Sequence, residues 1–356
     1  MSDGIKLSAN LYLPVGEQPF PAIMTYIPYL KDGGGGLVSM HAYQAHFASR
    51  GYAVIQLDMR GVGSSEGENK LPWNLQERAD AHEAIEWIAD QPWCNGNVGM
   101  WGLSYGGITA ISTATTHPPH LKAIIPVHAT DDNWDTLFEH RGSRLMLYAD
   151  PHWGPKMAAD NLLPPLRPES TPDWIDLWHK RLEANTPWHL TWHGESPTPD
   201  YWEEVKSDPG LIEVPVFVIC GWQDAYPEDT VRIYNAAKGP KRLLFGPWKH
   251  TFPDESPVAP VDFVNEMDLW WDRWLKGEDN GIDKEPPITI YVQGKNEWRV
   301  ENEWPLARQV VRTMYPSSGR TLVNKPSRSE DRTDTYDFDA RAGIASAAYD
   351  AVLQPI

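Results

Sequence analysis

Apolar residues along this chain gather first into short runs and then into helical spacing, and the alternation repeats. Residues 5–13 (IKLSANLYL) and 20–29 (FPAIMTYIPY) read as two strands across a Pro/Gly turn. After a glycine run at 33–36 and a helical stretch at 41–50, the segment GYAVIQLD at 51–58 is an apolar run that closes on Asp. Within 77–90, Ala81, Ala84, Ile85 and Ile88 recur at helical spacing. VGMWG at 98–102 predicts a strand, TAISTATTH a helix, and AIIPVHA at 123–129 a further strand. Short apolar strands alternating with helices predict a parallel βαβ sheet covered on both faces.

The alternation stops between 130 and 210, where Trp134, Trp153, Trp174, Trp178, Trp188, Trp192 and Trp202 crowd together with His and Pro. This segment reads as a helical insertion. VPVFVICG at 214–221 is a buried strand, RLLFGP at 242–247 another, and Asp262–Lys276 an amphipathic helix that stops at Gly277. From PITIYVQG at 287–294 the pattern becomes short alternating strands with many turn residues. The expected organisation is therefore an α/β domain over 1–129 and 211–280, a helical cap over 130–210, and the start of a β domain over 281–356. About 70 residues are few for an eight-stranded jelly roll. An incomplete sheet would leave open edges and an apolar face, so self-association is expected of the chain as it stands.

Composition narrows the function. The chain has 356 residues with 31 Lys+Arg against 49 Asp+Glu, a net charge of −18 that repels nucleic acid and anionic membrane surfaces. The 32 Pro are scattered without a Gly-X-Y period, which excludes a collagen-like chain. No stretch reaches the ~18 consecutive apolar residues of a membrane span, and no apolar leader follows the start. A cytoplasmic protein is expected, unless a leader precedes the first strand. Cys94 and Cys220 have no metal-type spacing and fall at opposite ends of a parallel sheet, so two free thiols, no metal and no cofactor are expected. The expected partner is a small molecule; the oligomeric state is left open.

The strongest local chemistry is Gly102-Leu103-Ser104-Tyr105-Gly106, set between a strand and a helix. A nucleophile elbow needs that context, because small residues let a strained turn present the serine above the sheet edge. In this architecture an acid and a histidine follow in order, each after a strand. Asp224 lies just past the 214–221 strand, ahead of its competitors Glu228 and Asp229, and His250 follows the 242–247 strand. His250 is expected to act as general base toward Ser104, with Asp224 orienting its ring. The backbone N–H of Tyr105 is the expected first oxyanion donor, and the loop Tyr26–Lys31 the expected source of a second. Among the tryptophans, Trp134, Trp153 and Trp222 are the candidate walls of an aromatic acyl pocket.

Five motifs occur in order: Pro-Tyr-x-Lys at 28–31, Asp58-Met59-Arg60-Gly61 continuing to Gly67, Pro92 to Met100, the serine elbow with Tyr105, and Gly-Trp-x-Asp at 221–224. Together they resemble the cocaine esterase/α-amino-acid ester hydrolase family, which is grouped with the X-Pro dipeptidyl-peptidases. The resemblance implies a helical cap, a C-terminal jelly roll, and the Tyr29 hydroxyl as second oxyanion donor. Family members that select an α-amino group resemble one another in carrying acids two and three residues after the triad Asp, where this chain has Tyr226 and Pro227. Asp131, Asp132 and Asp135 are the remaining source of such charge, and Arg60 is expected to pair internally. The reading is a serine hydrolase of carboxylic esters, with amides and X-Pro dipeptides as alternatives. A non-catalytic scaffold or binding protein is a further alternative.

Overall fold

The computed structural model describes residues 1–33, 38–140, 143–144, 153–165, 173–188, 199–317, 321–326, 335 and 337. Strands β1 (Ala9–Tyr12), β2 (Phe20–Ile27), β3 (Ala53–Asp58), β4 (Cys94–Leu103) and β5 (Leu121–Val127) alternate with helices α1 (Val38–Ser49), α2 (Leu75–Ala89) and α3 (Tyr105–Ala114). A π-type turn (Trp134–Phe138) and a two-residue ladder, β6 (Glu139–His140) with β7 (Ser143–Arg144), follow. Helices α4 (Gly154–Asn161), α5 (Trp174–Ala184) and α6 (Pro199–Val205) come next. The chain then returns through β8 (Val216–Gly221), α7 (Pro227–Ala236), β9 (Lys241–Gly246) and α8 (Phe263–Leu275).

One nine-stranded sheet orders these strands β1-β3-β2-β4-β5-β8-β9, continued by β10 (Ile288–Val292) and β11 (Glu297–Glu301). Every neighbouring pair from β3 to β10 is parallel, and the edge strands β1 and β11 are antiparallel. The sheet continues past residue 281. PITIYVQG does not open a separate layer, because Ile288, Thr289 and Ile290 register with Leu243, Leu244 and Phe245 of β9. Ile288 and Ile290 supply the apolar face that this register buries, a contact that local alternation cannot reveal. Beyond it, the described tail contains a short hairpin, β12 (Tyr315–Ser317) with β13 (Thr321–Val323). Of the segment expected to form the jelly roll, residues 318–320, 327–334, 336 and 338–356 lie outside those described, as does Trp192.

Both faces of the sheet are covered, as the near-continuous apolar runs require. Helices α2, α3 and α7 pack on one face through Ala81, Ile85, Ile111 and Ile233. Helices α1 and α8 pack on the other through Phe47, Met267 and Trp271. Asn74 caps α2, its side chain accepting the N–H groups of Gln76 and Glu77. Arg60 pairs internally: Nε and Nη2 donate to the Asp80 carboxylate at 2.7 and 2.6 Å, and Nη1 reaches Asp3. Cys94 and Cys220 are free and buried. No helix among the described residues is long and apolar enough to cross a membrane.

Candidate active site

Ser104 sits between the end of β4 and the first turn of α3 with φ 60° and ψ −118°, a left-handed conformation that costs free energy for a non-glycine residue. Its N–H donates to the Val127 carbonyl at 2.8 Å and its own carbonyl accepts from Ile108. The turn closes only because the flanking residues are small: a Cβ on Gly102 would lie 2.7 Å from the Gly106 backbone. The Tyr105 N–H, at the first helical position, is one of the donors that a helix start leaves without an intrahelical acceptor.

Asp224 and His250 are brought together from the ends of two neighbouring strands. Past β8, the N–H groups of Trp222 and Gln223 donate to the carbonyls of Gly246 and Trp248, and a Cβ on Gly221 would meet the Trp248 carbonyl at 2.1 Å. This crossing places the His250 Nδ1 3.0 and 3.1 Å from the two Asp224 carboxylate oxygens. The Asp224 side chain is fully buried. Burial works to raise its pKa, but the imidazoles of His250 and His128 outweigh it and hold the carboxyl well below the usual range.

Tyr29 arrives from the loop after β2. Its hydroxyl faces the Ser104 side chain and accepts the Trp153 indole N–H at 3.3 Å. Burial pushes the phenol up to about 12, so near neutral pH it keeps its proton and can donate. Asp58 ties this loop to the next: its carboxylate accepts the Lys31 N–H at 2.6 Å and the Ser64 N–H at 3.0 Å, and burial raises it to about 6.

The Tyr105 side chain has a separate task. Its hydroxyl donates to Glu77 at 2.8 Å and accepts the Trp73 N–H at 2.9 Å. Trp73, not singled out in the sequence, stacks on both Tyr105 and Trp153, at 5.6 and 5.5 Å between ring centres. Trp202 links that stack to Trp134. Trp134 and Trp153 thus belong to one aromatic wall beside Tyr29 and Tyr105. Trp222 does not: its indole N–H donates to the Tyr291 carbonyl of β10 at 2.8 Å and its ring lies 3.9 Å from that of Phe245. The strand that joins the sheet at this edge supplies the acceptor that turns Trp222 toward it.

The nearby acids are engaged. Asp131 takes the Arg232 guanidinium, Asp229 takes Arg232 and the Thr136 hydroxyl, and Asp132 takes Lys206. Asp132 also accepts the Asp135 N–H. Among the described residues, His128, Cys220 and Asp224 bring metal-type ligand atoms within 4.8 Å of one another. Burial drives the Cys220 thiol pKa far up, which disfavours the thiolate that a metal ion would need. His128 was also missed in the sequence. The signal for it was its place just past β5, at the carboxyl end of a parallel strand where ligand-binding groups collect.

A mostly parallel sheet covered on both faces, with a strained serine at the crest of its fourth strand, defines an α/β-hydrolase fold. A CocE/NonD family hydrolase from Staphylococcus aureus shares it, with a TM-score of 0.72 over 91% of this chain and 58% of that one at 23% identity. An α-amino acid ester hydrolase shares it with a TM-score of 0.60 over 92% of this chain and 62% of the other, at 22% identity. The chain belongs to the X-Pro dipeptidyl-peptidase (S15) family, whose model matches residues 3–252. The model of the X-Pro dipeptidyl-peptidase C-terminal non-catalytic domain matches residues 280–351. Cocaine esterase of Rhodococcus sp. strain MB1 Bresler is 28% identical over 97% of this chain and 67% of its own length. A putative serine esterase of Mycobacterium bovis is 25% identical over 96% and 66%. The chain spans about two thirds of the length of these curated relatives.

Proposed function

We propose that this chain hydrolyses carboxylic esters through an acyl-enzyme on Ser104. The Ser104 oxygen attacks the acyl carbon while His250 takes its proton. The Tyr29 hydroxyl and the Tyr105 N–H donate to the oxyanion that develops. Collapse breaks the bond to the alkoxy group, which leaves with the proton from His250, and water then releases the acid by the reverse sequence. Asp224 orients the His250 ring and stabilises it when charged. The observation that carries this reading is Ser104 on its strained turn at the end of β4, with the His250–Asp224 pair delivered by the adjoining strands and the Tyr29 hydroxyl facing the serine. We take 130–210 as the cap over this site, with Trp134 and Trp153 favouring an aromatic or amino-acid-derived acyl group, and the cytoplasm as the place of action.

A second reading, release of X-Pro dipeptides, has support in the names of relatives, such as a putative Xaa-Pro dipeptidyl-peptidase of Streptomyces avermitilis at 27% identity over 90% of this chain and 50% of that protein. It requires a carboxylate for the substrate ammonium, and Asp131, Asp132 and Asp229 are already held by Arg232 and Lys206. Fluorophosphonate labelling with peptide mapping, beside Ser104→Ala and p-nitrophenyl esters with and without an α-amino group, tests both. The ester reading expects label on Ser104 and turnover of amine-free esters. Turnover restricted to free-amine substrates would transfer the assignment to the dipeptidase, and a folded protein that takes no label would overturn the mechanism.

A further inference from the structure

The loop that brings Tyr29 to Ser104 is held in a conformation that its own residues resist. Leu30, the next residue, is buried and stands at φ +60°, a left-handed conformation that costs a non-glycine residue free energy and lasts only where its neighbours enforce it. Two hydrogen bonds flank it. The Leu30 carbonyl accepts the Gly33 N–H at 2.7 Å within the loop, and the Asp58 carboxylate, at the end of β3, accepts the Lys31 N–H at 2.6 Å. The other Asp58 oxygen accepts the Ser64 N–H at 3.0 Å. The 61–67 loop approaches that oxygen so closely that Gly63 has no room for a Cβ.

Packing alone does not call for an acid at this position. Asp58 is buried and burial raises its pKa to about 6, so its ionised form is costly here. Lys31, Asp32 and Arg181 are the charged groups that act on it; Asp32 opposes ionisation, and the two cations favour it. What the acid supplies is acceptance at both oxygens, whereas an amide of the same shape would turn an N–H toward one of the two backbone donors. We propose that Asp58 is a positioning residue for the oxyanion donor: by holding the Lys31 and Ser64 N–H groups at once, its carboxylate keeps the strained Leu30 turn closed and the Tyr29 hydroxyl aimed at Ser104. This rests on the reading of Tyr29 as a donor in acyl transfer on Ser104.

The arrangement has a consequence for rate that a packing role lacks. The Tyr29 ring meets the Trp153 indole N–H and the edge of Tyr105, but its place along the chain is set two residues away, at the Lys31 N–H. Without the carboxylate the Leu30 turn relaxes and carries the hydroxyl away from the serine. A donor out of place weakens the hold on the oxyanion more than the hold on the substrate, so the loss falls on kcat. It also passes through one atom, the Tyr29 oxygen, so removal of that oxygen leaves Asp58 nothing to aim.

The test uses Asp58→Asn and Asp58→Ser, which each keep one acceptor oxygen, alone and combined with Tyr29→Phe, on p-nitrophenyl acetate at pH 8, where the parent carboxylate is ionised. Either Asp58 variant that folds should lose kcat about 10-fold, with KM near that of the parent. Combined with Tyr29→Phe, it should lose no more than Tyr29→Phe does alone. Losses that multiply would show an effect that bypasses Tyr29 and would overturn the proposal. Amide hydrogen exchange at Lys31 needs no turnover; it is read by NMR on lysine-labelled protein, with the signal assigned by its loss in Lys31→Arg. This amide should be protected in the parent and exchange at least about 10-fold faster in the Asp58 variants. A Lys31 amide that exchanges in the parent as an exposed chain does, or at the same rate in parent and folded variants, would also overturn the proposal. A parent protein that cleaves no ester would sink the esterase reading, while exchange still decides whether Asp58 holds the Tyr29 loop.

Discussion

Tyr29 concentrates the chemistry of this molecule on one oxygen, which meets Ser104 and Trp153 at once. Because burial lifts its pKa to about 12, it remains a neutral donor near neutral pH. Tyr29→Phe deletes that donor and leaves the ring against Tyr105. Loss of one oxyanion donor lowers kcat about 100-fold. Steady-state kinetics should show that loss in kcat with little change in KM, since the substrate carbonyl binds the donor less strongly than the oxyanion does. At this scale the sequence was informative where geometry is local. Ser104 declared itself through its glycines, and Asp224 and His250 through their places after strands. The direction of the Trp222 ring was not readable, because it depends on the Tyr291 carbonyl, which lies 69 residues away. His128 and Trp73 were silent because nothing in the residues beside them signals a buried carboxylate or a stacking partner.

Helix α2 carries a pH-sensitive contact beneath the site. Its first turn presents Glu77, which accepts the Trp73 N–H and the Tyr105 hydroxyl, and burial raises its pKa from 4.5 to about 8. Between those two values the folded protein holds a proton on Glu77 that the unfolded chain has lost. The stability that this proton contributes is therefore complete below about pH 4.5 and declines as pH rises toward 8. Glu77→Gln keeps the shape without the titration. Thermal unfolding across pH 5 to 9 should show the parent losing roughly 4 kcal/mol more than this variant over the rise, and parallel curves would refute the assignment. The elements themselves were readable from periodicity, with ends shifted by a few residues. The strand at 288–292 was recognised as a strand, while its pairing with β9 was not readable, since alternation reveals a strand and not its neighbour.

Across the whole molecule, α5 meets the α/β body through Arg181. Its buried guanidinium donates to the carbonyls of Gly63 and Ser65 at 2.9 and 3.2 Å, in the loop that Asp58 joins to the Tyr29 segment. Arg181→Met leaves two buried carbonyls without that donor and removes the tether. It should cost about 1 to 3 kcal/mol in a denaturant titration and raise KM for aromatic esters more than for acetate, because Trp153 loses its fixed place. Equal KM changes for both substrates would show that the tether does not reach the acyl pocket.

The sequence by itself determined the βαβ sheet, the turn that carries Ser104, and the places of Asp224 and His250 after their strands, since each depends on periodicity or on turn chemistry within a few residues. Only the tertiary structure decided that β10 and β11 complete the same sheet, that Trp73 stacks on Tyr105 and Trp153 while Trp222 turns to Tyr291, and that His128 stands beside Asp224 and His250. Those outcomes depend on contacts between residues far apart in the chain, whose energies are set by burial and by the hydrogen-bond partner that folding supplies.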